Sequence, residues 1–182
     1  DIDDLDENTT LVTLTIGGND ARFGPVMARC MLATAATNCA SNSFKPPNAT
    51  ADEQRTDRWL TGYGNAAGDP LDEAIPLIID NVAVEGAANA IGAIRASAPN
   101  AKIVILGYPR LFENQGSCVR SGPGVLSPFG LSAGSVAFLN EMGDYMNTQL
   151  NAMVTQMVQN GDPKLVFADP TAAFAGRGVC GT

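Results

Sequence analysis

Residues 11–20 read LVTLTIGGND, an apolar run of strand-forming residues that ends in two glycines, an amide and a carboxylate. A short run that is almost continuously apolar is typical of a parallel strand covered on both faces. Parallel strands in α/β proteins bring the residues that follow them to the carboxyl edge of the sheet, where ligands bind. The stretch therefore predicts an α/β protein with a functional site at residues 17–20.

Two further runs have the same character, residues 102–106 and residues 164–168, and long helical patterns separate the three runs. Strands that alternate with helices predict a parallel sheet with right-handed crossover connections. We therefore expect one α/β domain over residues 1–182, with residues 11–16 and the two later runs as its strands.

The first long helical pattern covers residues 69–98. It begins with Asp69-Pro70, a pair typical of an N-cap followed by proline at the first helical position. Pro76 interrupts the pattern and offers an alternative start for the regular helix. A shorter helix is expected directly after Asp20.

The second long helical pattern covers residues 132–160, with Ser132 as the expected N-cap and Gly161 as the expected stop. Ser132 also lies in Gly130-Leu131-Ser132-Ala133-Gly134, which matches the nucleophile pattern G-x-S-x-G. That pattern requires a buried strand directly before it, whereas residues 125–129 contain Pro128 and show no strand pattern. We therefore interpret Ser132 as a helix cap and not as a nucleophile.

The bulk composition is that of a single globular domain. The chain has 182 residues, of which 45% are hydrophobic and 16% charged, which excludes a disordered protein. A net charge of -8 leaves no basic patch to neutralise phosphates, so we expect no nucleic-acid partner. No apolar run approaches the roughly 20 residues of a membrane span, so we expect no transmembrane segment.

The four cysteines, Cys30, Cys39, Cys118 and Cys180, allow three pairings. We favour Cys30–Cys39, which closes a short loop, and Cys118–Cys180, which ties a loop after one strand to the end of the chain. An even cysteine count suits an exported protein with two disulfides. Buried free thiols in a cytoplasmic protein are the alternative.

Residues 37–68 are polar and poor in aliphatic side chains, so we expect a surface insertion over the site. Trp59 and Tyr63 within it either line an acyl or sugar pocket or pack the insertion itself. No metal site is expected, because the cysteines lack zinc-like spacing and the chain has no histidine. A solvated surface, and not a calcium loop, is expected of the acidic residues at the start, Asp1, Asp3, Asp4, Asp6 and Glu7.

Four segments together resemble one enzyme family. The block Gly17-Gly18-Asn19-Asp20 resembles the Gly-x-Asn-Asp block of the SGNH (GDSL-type) hydrolases. Residues 103–112 (IVILGYPRLF) and Gly116-Ser117-Cys118 resemble the next strand, its loop and a disulfide position of secreted actinobacterial members. Residues 166–169 resemble their last strand, and residues 173–176 and 178–180 resemble the loop after it. The resemblance covers nearly the whole chain.

The resemblance implies a flavodoxin-like three-layer α/β/α fold and ester hydrolysis by a serine nucleophile, on a lipid, acyl or acetyl-carbohydrate substrate. It implies that the Asn19 side chain donates a hydrogen bond to the oxyanion of the ester, with Gly17, Gly18 and Asp20 in support. Asp20 is expected to accept backbone N–H groups at the start of the next helix. The resemblance further implies no cofactor and a secreted or extracytoplasmic location.

The chain departs from the family where the catalytic serine and histidine should be. The family's Gly-Asp-Ser block and a second oxyanion glycine precede every segment found here, and its Asp-x-x-His block follows Cys180. The chain contains no histidine, the usual base of a serine hydrolase. We therefore expect a domain that lacks its N-terminal strands and C-terminal catalytic segment. Such a chain should be inactive alone and need those segments from the same protein or a second chain.

Two alternatives remain open at this point. Asn19 and Asp20 could serve only to make the turn and cap the next helix. The whole chain could be a non-catalytic binding or structural module that kept the fold and lost the chemistry. In either case the strand at residues 11–16 is internal in the family, so one of its edges here should present unpaired backbone groups.

Overall fold

The computed structural model describes residues 2–32, 38–42, 69–113, 116, 118–120 and 129–180. Of the insertion expected at residues 37–68, it describes only residues 38–42, so Trp59 and Tyr63 lie outside the described residues. The strands are β1 (Leu11–Leu14), β2 (Lys102–Leu106), β3 (Cys118–Arg120), β4 (Phe129–Leu131) and β5 (Leu165–Ala168). The α-helices are α1 (Phe23–Leu32), α2 (Leu71–Ile78), α3 (Val84–Ser97), α4 (Ala133–Gln159) and α5 (Thr171–Phe174).

The centre of the fold is a parallel sheet of three strands in the order β1-β2-β5. Val12 lies opposite Ile103, and Ile105 lies opposite Phe167, so all three strands run in the same direction. Ile103 and Ile105 on the middle strand are fully buried. The expected α/β fold, with a parallel sheet and flanking helices, is confirmed, and the three strands lie where the apolar runs predict them.

Strand β1 is less covered than its sequence predicts. Among the described residues β2 is its one strand neighbour, so β1 lies at an edge of the sheet. Leu11 is 56% exposed, and Val12, Leu14 and Ile16 are only partly buried. The expectation of a strand covered on both faces is therefore wrong for β1, although it holds for β2.

Helices α2 and α3 form one continuous helix through a π-helical turn at Ile79–Ala83. The helix begins at Leu71 and runs through Pro76, and Pro70 occupies the N-cap position without a side-chain cap. Both Asp69 as the cap and Pro76 as an alternative start are thus wrong. The extra residue of the π turn shifts the helix phase, so that Ile79, Ala83, Ala87 and Ile91 all remain buried.

The same continuous helix, Leu71–Ser97, is long and apolar enough to cross a membrane by length and composition, which the sequence analysis did not expect. One of its faces contributes fully buried side chains to the core, including Leu71, Ile79 and Ile91. A helix that packs one face into a protein core can have this length and hydropathy without spanning a membrane. These two properties are therefore weak evidence for a membrane span.

Helix α4 has the ends that the sequence predicts. The Ser132 side chain caps it by accepting a hydrogen bond from the Ser135 N–H, at 3.0 Å. At the other end Gly161 adopts a φ of 112°, and Asp162 N–H donates to the Met157 carbonyl in a Schellman arrangement. A short strand, β4, does directly precede Ser132, contrary to expectation. It belongs to a two-stranded antiparallel ribbon with β3, and not to the parallel sheet.

Both expected disulfides are present, Cys30–Cys39 and Cys118–Cys180. The first joins α1 to a short 3-10 helix, Cys39–Ser41, whose Cys39 N–H donates to the buried Ser135 hydroxyl at 2.9 Å. The second joins β3 to the end of the described chain. The free-thiol alternative is thereby excluded.

Arg95, near the end of α3, forms hydrogen bonds with the segment after α4 and with the residue before β2. Its guanidinium donates to both carboxylate oxygens of Asp162, at 2.9 and 3.0 Å, and to the Ala101 carbonyl at 2.7 Å. The Arg95 and Asp162 side chains are only 23% and 21% exposed. Partial burial and several acceptors make this group more important for stability than an ordinary surface ion pair.

Replacing Arg95 with alanine should therefore lower the free energy of unfolding by about 2–3 kcal/mol, because several charge-assisted hydrogen bonds are lost together. The matched control is Arg110→Ala, which breaks the more exposed pair with Asp144, at 44% and 36% exposure. It should cost less than about 1 kcal/mol. Urea unfolding of both variants measures the difference, and equal losses would contradict this account.

The capping role of Ser132 gives a second prediction. Ser132→Ala should lower the free energy of unfolding by about 1 kcal/mol, since an N-cap hydroxyl is lost. Thr155→Ala is the control, because Thr155 is an exposed residue inside α4 whose hydroxyl only donates to the Asn151 carbonyl. That variant should be neutral or slightly stabilising. A nucleophilic Ser132 would instead be labelled by an organophosphate, and such labelling would overturn the capping interpretation.

Candidate active site

The residues after β1 form a tight turn that leads into α1. Ala21 N–H donates to the Gly17 carbonyl at 2.7 Å, and Phe23 N–H donates to the Gly18 carbonyl at 3.1 Å. Arg22 N–H donates to the Asn19 carbonyl, also at 3.1 Å. Backbone groups thus close the turn, while the side chains of Asn19 and Asp20 are exposed. The predicted capping by the Asp20 carboxylate stays a prediction.

Two residues of this turn have left-handed backbone conformations. Gly17 has a φ of 101°, and a Cβ at this position would collide with the terminal methyl of Met146 on α4. Arg22 has a φ of 60°, which is uncommon for a residue with a side chain. Glycine adopts a positive φ without strain, but Arg22 does not, and such residues concentrate at functional sites. The surrounding structure therefore holds the backbone at Arg22, three residues after Asn19, in a conformation that it would rarely adopt by itself.

Gly18 contacts Tyr108, which follows β2. Gly18 N–H donates to the Tyr108 hydroxyl oxygen at 2.8 Å. A Cβ on Gly18 would lie 2.9 Å from that oxygen and 3.1 Å from the ring carbon bearing it, so glycine is required by space as well. The loop after β2 thus supports the turn after β1 through one side chain.

The Tyr108 phenol is half-buried beside the turn. Burial raises the pKa of Tyr108, the hydrogen bond from Gly18 partly opposes this rise, and the negative charge of Asp20 adds to it. A phenol is protonated at neutral pH at its ordinary pKa, and the rise in pKa moves Tyr108 further from ionisation. Its oxygen can therefore accept from Gly18 without carrying a charge into the site.

Two buried asparagines of α4 hold the loop after β2. Asn147 accepts from the Tyr108 N–H and donates to the Tyr108 carbonyl, both at 2.8 Å. Asn140, two helical turns earlier, accepts from the Phe112 N–H at 3.3 Å and donates to its carbonyl at 2.9 Å. Each amide thus pairs with both polar groups of one residue, as a neighbouring strand would. These contacts satisfy asparagines that are only 5% and 4% exposed.

The turn after β1 lies at the side of a cleft of about 630 Å³. Gly17, Gly18, Asn19 and Asp20 all line this cleft, so the structure brings the four predicted residues together at one ligand-sized space. Most of the remaining lining is apolar and comes from three helices, with Phe23 and Val26 from α1, Ile75 from α2, and Leu139, Met142 and Met146 from α4. The cleft combines a few polar groups at one side with an apolar interior.

The sequence did not predict Tyr108 and Asn140, which also line the cleft, or Asn147, which lies behind Tyr108 and binds its backbone. Tyr108 lies in a segment predicted as a loop, and the two asparagines lie in a predicted helix. The one available signal was an asparagine on the otherwise apolar face of α4, which predicts a buried polar contact but not its partner. Conversely, the predicted disulfide cysteines and Ser132 do not line the cleft. In the described ranges no group of three histidine, cysteine or acidic side chains could hold a metal ion.

Comparisons with known proteins agree with this picture. No family model matches the chain. The chain is 30% identical over 176 residues to a lipase of Streptomyces rimosus, which covers 97% of this chain and 49% of that protein. It is 28% identical to Lipase 1 of Streptomyces coelicolor, over 97% of this chain and 48% of that protein. The chain thus spans about half the length of the curated relatives it matches.

Solved structures show the same fold. Phospholipase A1 from Streptomyces albidoflavus superimposes with a TM-score of 0.65 at 23% identity, over 98% of this chain and 57% of that one. The extracellular lipase of Streptomyces rimosus superimposes with a TM-score of 0.62 at 24% identity, over 97% and 56% of the two chains. Together with the sequence identity to two lipases along almost the whole chain, this shared fold supports the predicted resemblance to the SGNH lipases.

Proposed function

We propose that this chain supplies the oxyanion-binding part of a serine esterase or lipase, with Asn19 as the hydrogen-bond donor to the oxyanion. The observation that carries the proposal is the position of Asn19. It is exposed on a backbone-closed turn at the carboxyl end of a parallel strand, and it lines a cleft of ligand size. An amide N–H₂ fixed at such an edge is suited to stabilise negative charge that develops on an ester oxygen.

The proposed chemistry needs a preorganised donor more than a strong one. A single oxyanion donor contributes about 3–4 kcal/mol when it is fixed before the reaction, because no reorganisation is needed as charge develops. Gly17 and Gly18 would serve by allowing the turn to approach Met146 and Tyr108 closely. The negative charge of Asp20 disfavours a second anion nearby, so its carboxylate would support the turn and not the oxyanion.

The proposed substrates are esters with an apolar acyl group. The interior of the cleft is lined mainly by aliphatic, methionine and phenylalanine side chains. Such a lining favours a hydrocarbon chain over a sugar, which would need polar partners for its hydroxyl groups. Relatives described as lipases and a structural neighbour described as a phospholipase A1 are in keeping with a lipid ester.

The serine nucleophile and histidine base would come from outside this sequence, because the chain contains no histidine and no Gly-Asp-Ser block. Either further segments of the same protein or a second chain would supply them. One edge of β1, next to the Asn19 turn, has no strand neighbour among the described residues, and a strand added there would bring new residues closest to Asn19. Secretion is proposed as well, since the chain has two disulfides and a structural neighbour is an extracellular lipase.

A second candidate function is a non-catalytic binding module. The absence of histidine from the chain is the observation that favours it. Such a module would keep the apolar cleft and bind an acyl chain without cleaving it. The two candidates differ in one respect that can be measured, because only the esterase uses the side chain of Asn19 to accelerate a reaction.

The test compares the chain alone with the chain supplied with nucleophile-bearing and histidine-bearing segments, either joined to it or added separately. The chain alone should not hydrolyse a p-nitrophenyl ester. The completed protein should hydrolyse this ester. In the completed protein, Asn19→Ala should lower kcat by about 10²–10³-fold while KM changes little. Asn100→Ala is the matched control, because Asn100 is an exposed asparagine before β2, at the opposite end of the sheet.

Hydrolysis by the chain alone would contradict the proposal, as would a completed protein in which Asn19→Ala keeps full kcat. A completed protein that binds fatty acids but neither turns over esters nor reacts with an organophosphate would support the binding module instead.

A further inference from the structure

We propose that Tyr108, fixed by Asn147, is the positioning residue that sets the orientation of Asn19. This inference rests on the proposed function, in which Asn19 meets the oxyanion. It adds a connected set of contacts that runs from α4, through the loop after β2, to the turn after β1. Tyr108 and Asn147 lie outside the Gly-Gly-Asn-Asp block and act on it through Gly18.

The first contact joins Tyr108 to the residue directly before Asn19. The Gly18 N–H donates to the Tyr108 hydroxyl at 2.8 Å, which fixes the plane of the peptide that enters Gly18. The ring also fills the space where a Gly18 side chain would lie, with the hydroxyl oxygen only 2.9 Å from an ideal Cβ. The turn therefore cannot move toward Tyr108, because the phenol occupies that space, and movement away from Tyr108 breaks the hydrogen bond.

The second contact fixes Tyr108 in turn. Asn147 pairs with both backbone groups of Tyr108 at 2.8 Å, so the phenol is attached to a residue with an immobilised main chain. Asn147 itself is held in place, since Gly107 leaves room for its amide and an ideal Cβ there would lie 2.6 Å from Oδ1. A buried amide whose donor and acceptor are both used has no competing orientation of equal energy.

The third step is a comparison with Asn140. It lies on the same helix, is equally buried and makes the same paired contact, but to Phe112 and not to Tyr108. The loop after β2 is thus held at two points by chemically identical groups. Only one of the two, Asn147, acts on the residue that touches the Asn19 turn. Loss of either amide should cost similar stability, whereas only the loss of Asn147 should disturb Gly18.

The experiment measures the Gly18 amide directly, in ¹⁵N-labelled protein, by hydrogen exchange and chemical shift. The variants are Tyr108→Phe, which keeps the ring and removes the acceptor, Asn147→Ala, and Asn140→Ala as the matched control. Tyr108→Phe should accelerate Gly18 exchange roughly tenfold, as expected for one lost hydrogen bond. Asn147→Ala should change the amide chemical shifts of Gly18 and Asn19 in the same direction as Tyr108→Phe does. Asn140→Ala should leave these chemical shifts unchanged.

The second readout is kinetic and uses the completed enzyme. Tyr108→Phe and Asn147→Ala should each lower kcat roughly tenfold with KM within about twofold, because the oxyanion donor is misplaced and substrate binding is not. If Tyr108 and Asn147 only stabilised the fold, their substitution would change neither the Gly18 amide exchange and chemical shift nor the ratio of kcat to KM. If Asn147→Ala does not fold, Tyr108→Phe carries the test by itself.

The outcomes separate this inference from the function on which it rests. Unchanged Gly18 exchange in Tyr108→Phe would overturn the inference whatever the activity. So would full kcat in Tyr108→Phe alongside a collapse in Asn19→Ala. If the completed protein shows no activity at all while Gly18 responds as expected, the proposed function fails and the structural relation between Tyr108 and the turn stands.

Discussion

The candidate site depends on close contact between α4 and the carboxyl ends of β1 and β2. At three glycines, a side chain from another part of the chain occupies the space where a Cβ would lie. Met146 occupies it at Gly17, Tyr108 at Gly18 and Asn147 at Gly107. Close packing of this kind leaves no room for a side chain at these positions, although the flexible end of Met146 yields more easily than the Tyr108 ring or the Asn147 amide. The shape of the turn that carries Asn19 follows from these contacts more than from its own backbone preferences.

Helix α4 can bear this role because both of its ends are fixed. Ser132 and Ser135 secure its start and connect it to the segment at Cys39. A Schellman arrangement closes its end, and Asp162 within that arrangement pairs with Arg95. A helix held at both ends cannot slide along its axis, so Met146, Asn147 and Asn140 present their side chains at fixed heights. The internal polar contacts add specificity, since each buried amide has one set of partners that satisfies it.

Local sequence patterns predicted most of the fold, because the relevant forces act between near neighbours. The apolar runs gave the strands, Ser132 and Gly161 gave the ends of α4, and the even cysteine count suggested two disulfides that are present. The start of α2 was misplaced, since Pro70 fits both the cap and the first helical position. The strand at Phe129 was missed because three residues with a neighbouring proline carry no periodicity.

The site could be predicted only in part. The Gly-Gly-Asn-Asp block was found because its chemistry is contained in four consecutive residues. Tyr108 and Asn147 were not, because the contacts that give them a role join residues 90 and 39 positions apart in sequence. No local sequence pattern indicates which backbone N–H and carbonyl groups a buried asparagine side chain will bind. The burial of the faces of β1 was overestimated, because an apolar run predicts a covered strand but does not indicate whether the elements that would cover it are present.

The two sides of β1 differ in a way that bears on how a complete enzyme could be organised. On one side β2 pairs with β1, and Tyr108 and α4 fix the turn that follows it. On the other side the described residues place no strand, and Leu11 is largely exposed. Among the described residues, the strand pairing of β1 and the contact of Tyr108 with its turn therefore both come from the side of β2. If Asn19 has the proposed role, an element added at this edge would meet a turn that is already ordered, so its binding energy would not be spent on ordering that turn. Catalysis by charge stabilisation benefits from this arrangement, because a donor that must first be ordered by its partner stabilises the transition state less by the cost of that ordering.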